Sequence, residues 1–333
     1  MIDDLNSNEF YTIDDFGYEL SQKLGEALAG YGLSAVIDYT TIQKNNMEYK
    51  GLCVMLHDTN VGPFLYIDKD YYDILNGVPM YQIVESKVKL VEEAIHNAPD
   101  IQQMKKDEIK NNLFVEIINR EMNPKIEEQC AHQDINDLML IPRLKCVEID
   151  GHVGSCIVTS YCQAAMLNMT DDELLSIAKE NTFEKNDYIC VGIDNMIAKL
   201  DGEKEVESAD NCAYVLTNST NIYGSTALAD PTALQMVKQT IKEDEFFIIP
   251  STIHECIIIP SSLVDDPADL KNMLNDINSD NSIVKKEDVL SNNVYRYNGK
   301  RISICNSLND LQKQLNMEQQ TNSVKEKIIR GIK

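Results

Sequence analysis

Between Asn218 and Glu255 the chain crowds polar groups against runs that read as buried strands: Asn218, Asn221, Tyr223, Ser225, Ser251, Thr252, His254 and Glu255. Strand ends are where a rigid scaffold presents chemistry. His254 stands in the loop between two apolar strands, where an imidazole can serve as general base. Ser251 would then be the nucleophile, with Glu255 or Asp210 orienting the ring. Against this, no Gly-x-Ser-x-Gly elbow occurs in the sequence, and without one a histidine that closes a tight loop is the expected outcome. Asn221, Tyr223 and Thr252 are the accompanying candidates for binding rather than catalysis.

Metal chemistry has two possible sources. Cys130, His132, Cys146, His152, Cys156 and Cys162 fall close together, but no Cys-x-x-Cys or His-x-x-x-His pair is among them. Cys156 and Cys162 also have apolar neighbours that suit core thiols, so zinc is not expected. His254 and Glu255 are adjacent, which misses the His-x-Glu spacing of zinc deaminases. Asp276, Asn278, Asp280, Ser282 and Glu287 occupy positions 1, 3, 5, 7 and 12 of an EF-hand loop. Position 6 is Asn281 where the turn wants glycine, and Asn292 and Asn293 leave little room for an exiting helix, so a solvated loop is expected in place of calcium. No Gly-x-Gly-x-x-Gly follows a strand and no Walker lysine exists, so no cofactor is expected.

The elements that must position these residues read most clearly in the last third. A strand at 212–217, a helix at 230–242, strands at 246–250 and 255–260, a helix at 266–278 and a strand near 293–297 give β-α-β-β-α-β, the ferredoxin-like or split βαβ arrangement. Asp230-Pro231 and Asp266-Pro267 repeat the same start, an Asp cap with proline at the first helical position. Ile-Ile-Pro-Ser, at 248–251 and again at 258–261, ends both central strands.

The opening residues predict an α-β-β-β-α module. Thr12 and Asp15 cap a helix with Phe16, Leu20, Leu24 and Leu28 on one face, stopped by Gly30 and Gly32. Asn45 and Asn46 then turn a hairpin between 33–43 and 49–57, a short strand follows at 64–67, and a helix at 79–96 carries Ile83, Val84, Val88, Val91 and Ile95. Between these modules, 113–119 reads as strand or helix and the stretch to Glu128 as an exposed excursion. Asp150-Gly151 signals a hairpin between 138–149 and 153–161, Thr170 and Glu173 form a capping box, and 201–210 reads as a loop. The expectation is an α+β chain with modules at 1–97, 98–207 and 208–306 and a polar tail at 307–333, either a frayed helix or disordered.

The totals limit the function. With 54 acidic against 30 basic side chains and a net charge of −24, the molecule repels phosphates and anionic membranes, which argues against direct binding to nucleic acid or membrane. The same charge steers it toward basic proteins, or lets it imitate DNA as an inhibitor of a DNA-binding protein. An acidic start without Lys or Arg is not a secretory leader, and no apolar run is long enough to span a bilayer, so a cytoplasmic setting is expected. Nine cysteines, an odd count at irregular spacing, read as reduced thiols.

Three phrases carry a resemblance: Asn-x-Tyr-Gly at 221–224, Pro-Ser-x-Ile-His-Glu at 250–255 and Asp-Val-Leu-Ser-x-Asn-Val-Tyr at 288–295. With them the chain, up to about Asn306, resembles an uncharacterised domain-of-unknown-function family of gut Firmicutes. That resemblance implies a bacterial cytosolic protein and carries over no catalytic residue. The leading expectation is a non-enzymatic module that engages another bacterial protein. The alternatives are a hydrolase or transferase built around His254, and the DNA mimic.

Overall fold

The computed structural model describes residues 11–56, 62–97, 106–149, 152–185, 187–200 and 213–331. The fold is α+β, as the sequence predicts, with several antiparallel sheets among its helices. Its described residues gather into two compact units, one drawn from Met1–Asn112 with Leu144–Cys156 and the other from Leu113–Arg143 with Ile157–Lys333.

The first unit opens with α1 (Ile13–Gly30), β1 (Ala35–Lys44), β2 (Met47–Leu56), β3 (Phe64–Tyr66), α2 (Asp68–Leu75), α3 (Met80–Asn97) and α4 (Lys106–Asn111). The Thr12 hydroxyl accepts the Asp15 amide at 3.2 Å and the Asp15 carboxylate accepts the Thr12 amide at 2.9 Å, a complete capping box. Four-residue spacing puts Phe16, Leu20, Leu24 and Leu28 on one stripe, and all four are fully buried against Leu52, Val54 and Leu65 of the sheet and Ile83, Val88 and Val91 of α3. The three strands pair antiparallel in the order β1-β2-β3. Lys44 faces Met47, which leaves Asn45 and Asn46 as the two-residue turn, with Asn46 in the left-handed region at φ 58°. Helix α2 was not foreseen, being a single short amphipathic stretch. What holds it is tertiary: its Asp70 carboxylate meets the buried Lys87 ammonium of α3 at 2.5 Å, and Lys87 also donates to the Tyr66 carbonyl at 2.9 Å.

The second unit continues with β4 (Leu113–Asn119), α5 (Pro124–Gln129), β5 (Gln133–Ile135), β6 (Leu138–Ile149), β7 (His152–Ile157), α6 (Ser160–Cys162) and α7 (Asp171–Lys185). The second half of β6 and most of β7 belong to the first unit. The segment that reads as strand or helix is the strand β4, and the stretch expected as an excursion contains the short helix α5. Thr170 and Glu173 form the expected box at the start of α7, and the Thr182 hydroxyl of that helix accepts the buried Val115 amide of β4 at 2.8 Å.

Next come β8 (Tyr188–Gly192), α8 (Ile193–Leu200), β9 (Tyr214–Asn218), a 3-10 turn at Gly224–Ala229, α9 (Pro231–Ile241), β10 (Phe246–Ile249), β11 (Cys256–Pro260), α10 (Pro267–Ser279), β12 (Tyr295–Tyr297), β13 (Ile302–Ile304) and α11 (Leu308–Gly331). The loop predicted at 201–210 lies outside the described residues. The six strands run β13-β12-β10-β11-β9-β8. Strands β9 and β10, joined through α9, flank β11, which is antiparallel to both, so the unit is a split βαβ. A ferredoxin-like sheet would bring the last strand of the motif to the free edge of β9. Here β8 already pairs along β9, and β12 adds beyond β10 instead. Asp230 and Asp266 cap α9 and α10 as expected, accepting the Thr232 amide at 2.8 Å and the Ala268 amide at 2.9 Å. The tail helix α11 is docked in its first turns: Leu311 packs on the cluster of Phe247, Ile249 and Leu274, and the buried Arg296 guanidinium of β12 reaches Glu245 at 2.6 Å and Glu318 at 3.2 Å. Among the described residues, no helix is long and apolar enough to cross a membrane.

Candidate functional site

Three loops of the second unit build one polar junction. The turn between β10 and β11 is organised from inside by Thr252, whose hydroxyl accepts the amides of His254 at 3.1 Å and Glu255 at 3.0 Å. The stretch before β12 then pairs with that turn as an extra rung. Thr252 and Val289 form a bridge, Ile253 donates to the Asp288 carbonyl at 2.8 Å, and Leu290 and Ser291 donate to the carbonyls of Ser251 and Pro250, each at 3.3 Å. The third loop follows β9. The buried Asn218 side chain holds it, accepting from Thr220 and Ile222 and donating to the Ile222 carbonyl at 2.8 Å.

That third loop delivers Tyr223 in the left-handed conformation, at φ 56°, a position a tyrosine rarely adopts. The strained turn presses Gly224 against the sheet, where a Cβ would lie 2.4 Å from the Thr217 hydroxyl and 2.5 Å from the His254 carbonyl, so only glycine fits. It also aims the Tyr223 amide at Nδ1 of His254, at 3.2 Å. Nδ1 is therefore an acceptor, the neutral ring carries its proton on Nε2, and Nε2 faces the Asp288 carboxylate at 3.5 Å. The Thr217 hydroxyl donates to the His254 carbonyl at 2.8 Å. The imidazole is about one-third exposed, with a side-chain accessibility of 35%.

The Tyr223 ring sits between two others, with centroids 5.7 Å from His254 and 5.7 Å from Phe114 of β4. The Arg143 guanidinium of β6 lies 5.7 Å from the same ring and pairs with the buried Glu116 carboxylate of β4 at 2.6 Å. Beside this stack lies a second centre. Asp137, in the Asn136-Asp137 turn between β5 and β6, is buried, and its carboxylate accepts from Ser291 at 2.7 Å, Asn293 at 2.9 Å, Asn119 at 3.2 Å and the Tyr295 hydroxyl at 2.5 Å. Burial and the neighbouring Asp137 charge together hold the Tyr295 phenol far above its ordinary pKa.

All three phrases singled out in the sequence therefore meet at this junction: 221–224 supplies Tyr223 and Gly224, 250–255 supplies the turn with His254, and 288–295 supplies Asp288 and three donors to Asp137. The model of a family of unknown function, DUF5688, matches residues 13–299 and so spans every one of them. The chain belongs to that family. No curated protein and no solved structure matches it. The matched span takes in the whole junction and both βα halves of the split βαβ, and it stops before α11.

The predicted site residues fall as follows. His254, Thr252 and Tyr223 come together; Asn221 is exposed, in the left-handed region at φ 54°, and its amide closes the loop on the Asn218 carbonyl at 3.1 Å. Ser251 is buried at the end of β10, and no hydrogen bond joins it or the Glu255 carboxylate to His254. Asp210 lies outside the described residues. Asp276 and Asn278 sit in the last turn of α10, not in a loop, and the Asp280 carboxylate is spent on the amide and hydroxyl of Ser282 at 2.9 and 2.6 Å, so the spacing of an EF-hand is not matched by its backbone. Among the described residues no three His, Cys, Asp or Glu side chains converge as metal ligands. Cys130 is a core thiol donating to the Ile126 carbonyl at 3.1 Å, whereas Cys156, expected in the core, is exposed.

Sequence reasoning missed Asp288, Asp137, Arg143 and Glu116. For the last two a signal was present: each is a charge inside an apolar strand, and a charge there requires a buried partner. Asp288 lay inside a phrase already singled out, but nothing in that phrase says which loop it will meet.

Proposed function

We propose that this chain is a non-enzymatic protein-interaction module, in which the junction around His254 holds three loops rigid so that they present a fixed surface to a basic bacterial protein. The observation that supports this most is the state of the His254 ring. A general base needs a free lone pair facing its nucleophile, and here the lone pair of Nδ1 receives the Tyr223 amide while Nε2 lies 3.5 Å from the Asp288 carboxylate and meets no nucleophile among the described residues. Ser251, the residue expected as nucleophile, is turned into the strand end and contributes its carbonyl to the Leu290 amide. The net charge of −24 supplies long-range steering toward a basic partner and predicts an association rate that falls with salt.

The test has two arms. The tagged full chain captures a partner from the extract of its own source cell, and the purified pair is titrated at rising salt. The expected result is a basic partner whose Kd weakens steeply with ionic strength; no partner at low salt counts against the reading. In the second arm, wild type and His254→Ala are heated with metals, nucleotides and metabolites. A ligand that raises the Tm only when His254 is intact would replace the interaction reading with the hydrolase or transferase built around that residue.

A further inference from the structure

Three of the described cysteines, Cys130, Cys256 and Cys305, are protected by burial. Burial pushes the thiols of Cys130 and Cys256 up to about 12 and that of Cys305 up to about 11, which withholds the thiolate that reacts. One pair differs. Cys146 of β6 and Cys156 of β7 lie on paired strands with their Sγ atoms 3.6 Å apart; Cys156 is exposed and Cys146 is half-buried. Their sulfurs are already in contact, and closing that gap to the ~2.0 Å of an S–S bond is a shift that side-chain rotation with a small adjustment of the strands can supply.

We propose that Cys146 and Cys156 are an oxidation-sensitive dithiol, converted to an intramolecular disulfide by exchange with a low-molecular-weight disulfide. The exposed Cys156, as thiolate, attacks one sulfur of the small disulfide, breaking its S–S bond and releasing one small thiolate. The resulting mixed disulfide is then attacked at the Cys156 sulfur by the Cys146 thiolate, which releases the second small thiolate and forms the Cys146–Cys156 bond. The two protons lost by the protein are taken up by the two small thiolates, so one small disulfide is reduced to two thiols as the protein dithiol is oxidised. The product locks the β6–β7 hairpin at its two strands, and excess small thiol reverses it. This inference does not depend on the interaction reading, because it concerns other residues.

The experiment exposes the native full chain to oxidised glutathione and follows it by intact mass and peptide mapping. The expected result is a peptide cross-linked through Cys146 and Cys156 with no glutathione retained, while Cys130, Cys256 and Cys305 stay unmodified and dithiothreitol restores the starting mass. In Cys146→Ser the resolving thiol is gone, so Cys156 should keep its glutathione as a stable adduct. Wild type that retains glutathione on Cys156 just as Cys146→Ser does, or a native chain in which Cys156 does not react, would overturn the proposal.

Discussion

The helix-on-sheet core of the first unit is closed to water, the three-loop junction of the second leaves its imidazole partly exposed, and the two are held by opposite means. In the first, Phe16, Leu20, Leu24 and Leu28 press on a sheet and a second helix, and almost every contact is apolar. In the second, a carboxylate, an imidazole and a guanidinium are surrounded by donors and rings drawn from segments up to 158 residues apart in sequence. Apolar burial is non-directional, so a stripe of the right width suffices. A polar junction works only if every group is met, and its geometry is correspondingly demanding.

The largest effect that tests this contrast is Phe16→Ala. Removing a fully buried ring from the first core should cost about 3–5 kcal/mol, read as a lower urea midpoint, with amide exchange accelerated along α1 and β2. If exchange rises as much around 250–255 as along α1, the two regions do not differ as argued. Slightly smaller is Asp137→Ala. It strands the side-chain donors of Ser291, Asn293, Asn119 and Tyr295 without their common acceptor, for a loss of about 3 kcal/mol, and amide exchange should rise at 250–255 and 288–295 together. A variant as stable as wild type would mean that water replaces the carboxylate without loss and that the junction is not held through Asp137.

The smallest effect lies at the surface of the first unit. Hydrogen bonds from Lys50 and then Tyr39 hold the Asp14 carboxyl below its ordinary pKa, and bonds from the Thr12 side chain and amide do the same for Asp15. A depressed folded pKa means that the unfolded chain binds the proton more tightly. This stabilisation is therefore present at neutral pH, above the unfolded carboxylate value, and is lost as the pH falls through the folded values. Stability of the first unit should decline on acidification through the carboxylate range, and Thr12→Ala should flatten that decline when Tm is plotted against pH. An unchanged profile would show that these exposed contacts are screened away.

How much of this was legible follows from the same contrast. The α1 stripe, the Asn45-Asn46 hairpin, the capping boxes at Thr12 and Thr170, and the Asp-Pro starts of α9 and α10 are written in residues no more than a turn or two apart, so periodicity and cap chemistry are enough to find them. The β-α-β-β-α-β order was equally legible, because each element carries its own pattern. The pairing of β12 with β10 was not, since it depends on β8 occupying the edge of β9, and β8 is a five-residue strand with no turn signal of its own.

The site divides the same way. That 221–224, 250–255 and 288–295 were worth watching came from the sequence, as did the position of His254 between two strands. Its role was decided by the fold alone. A histidine is base, acid or cap according to which groups meet its two nitrogens, and here those groups are an amide 31 residues away and a carboxylate from a third loop. Local order is set by neighbours along the chain and can be read from them. Partnership between distant polar groups is set by how the strands stack in space, and only the tertiary structure decides it.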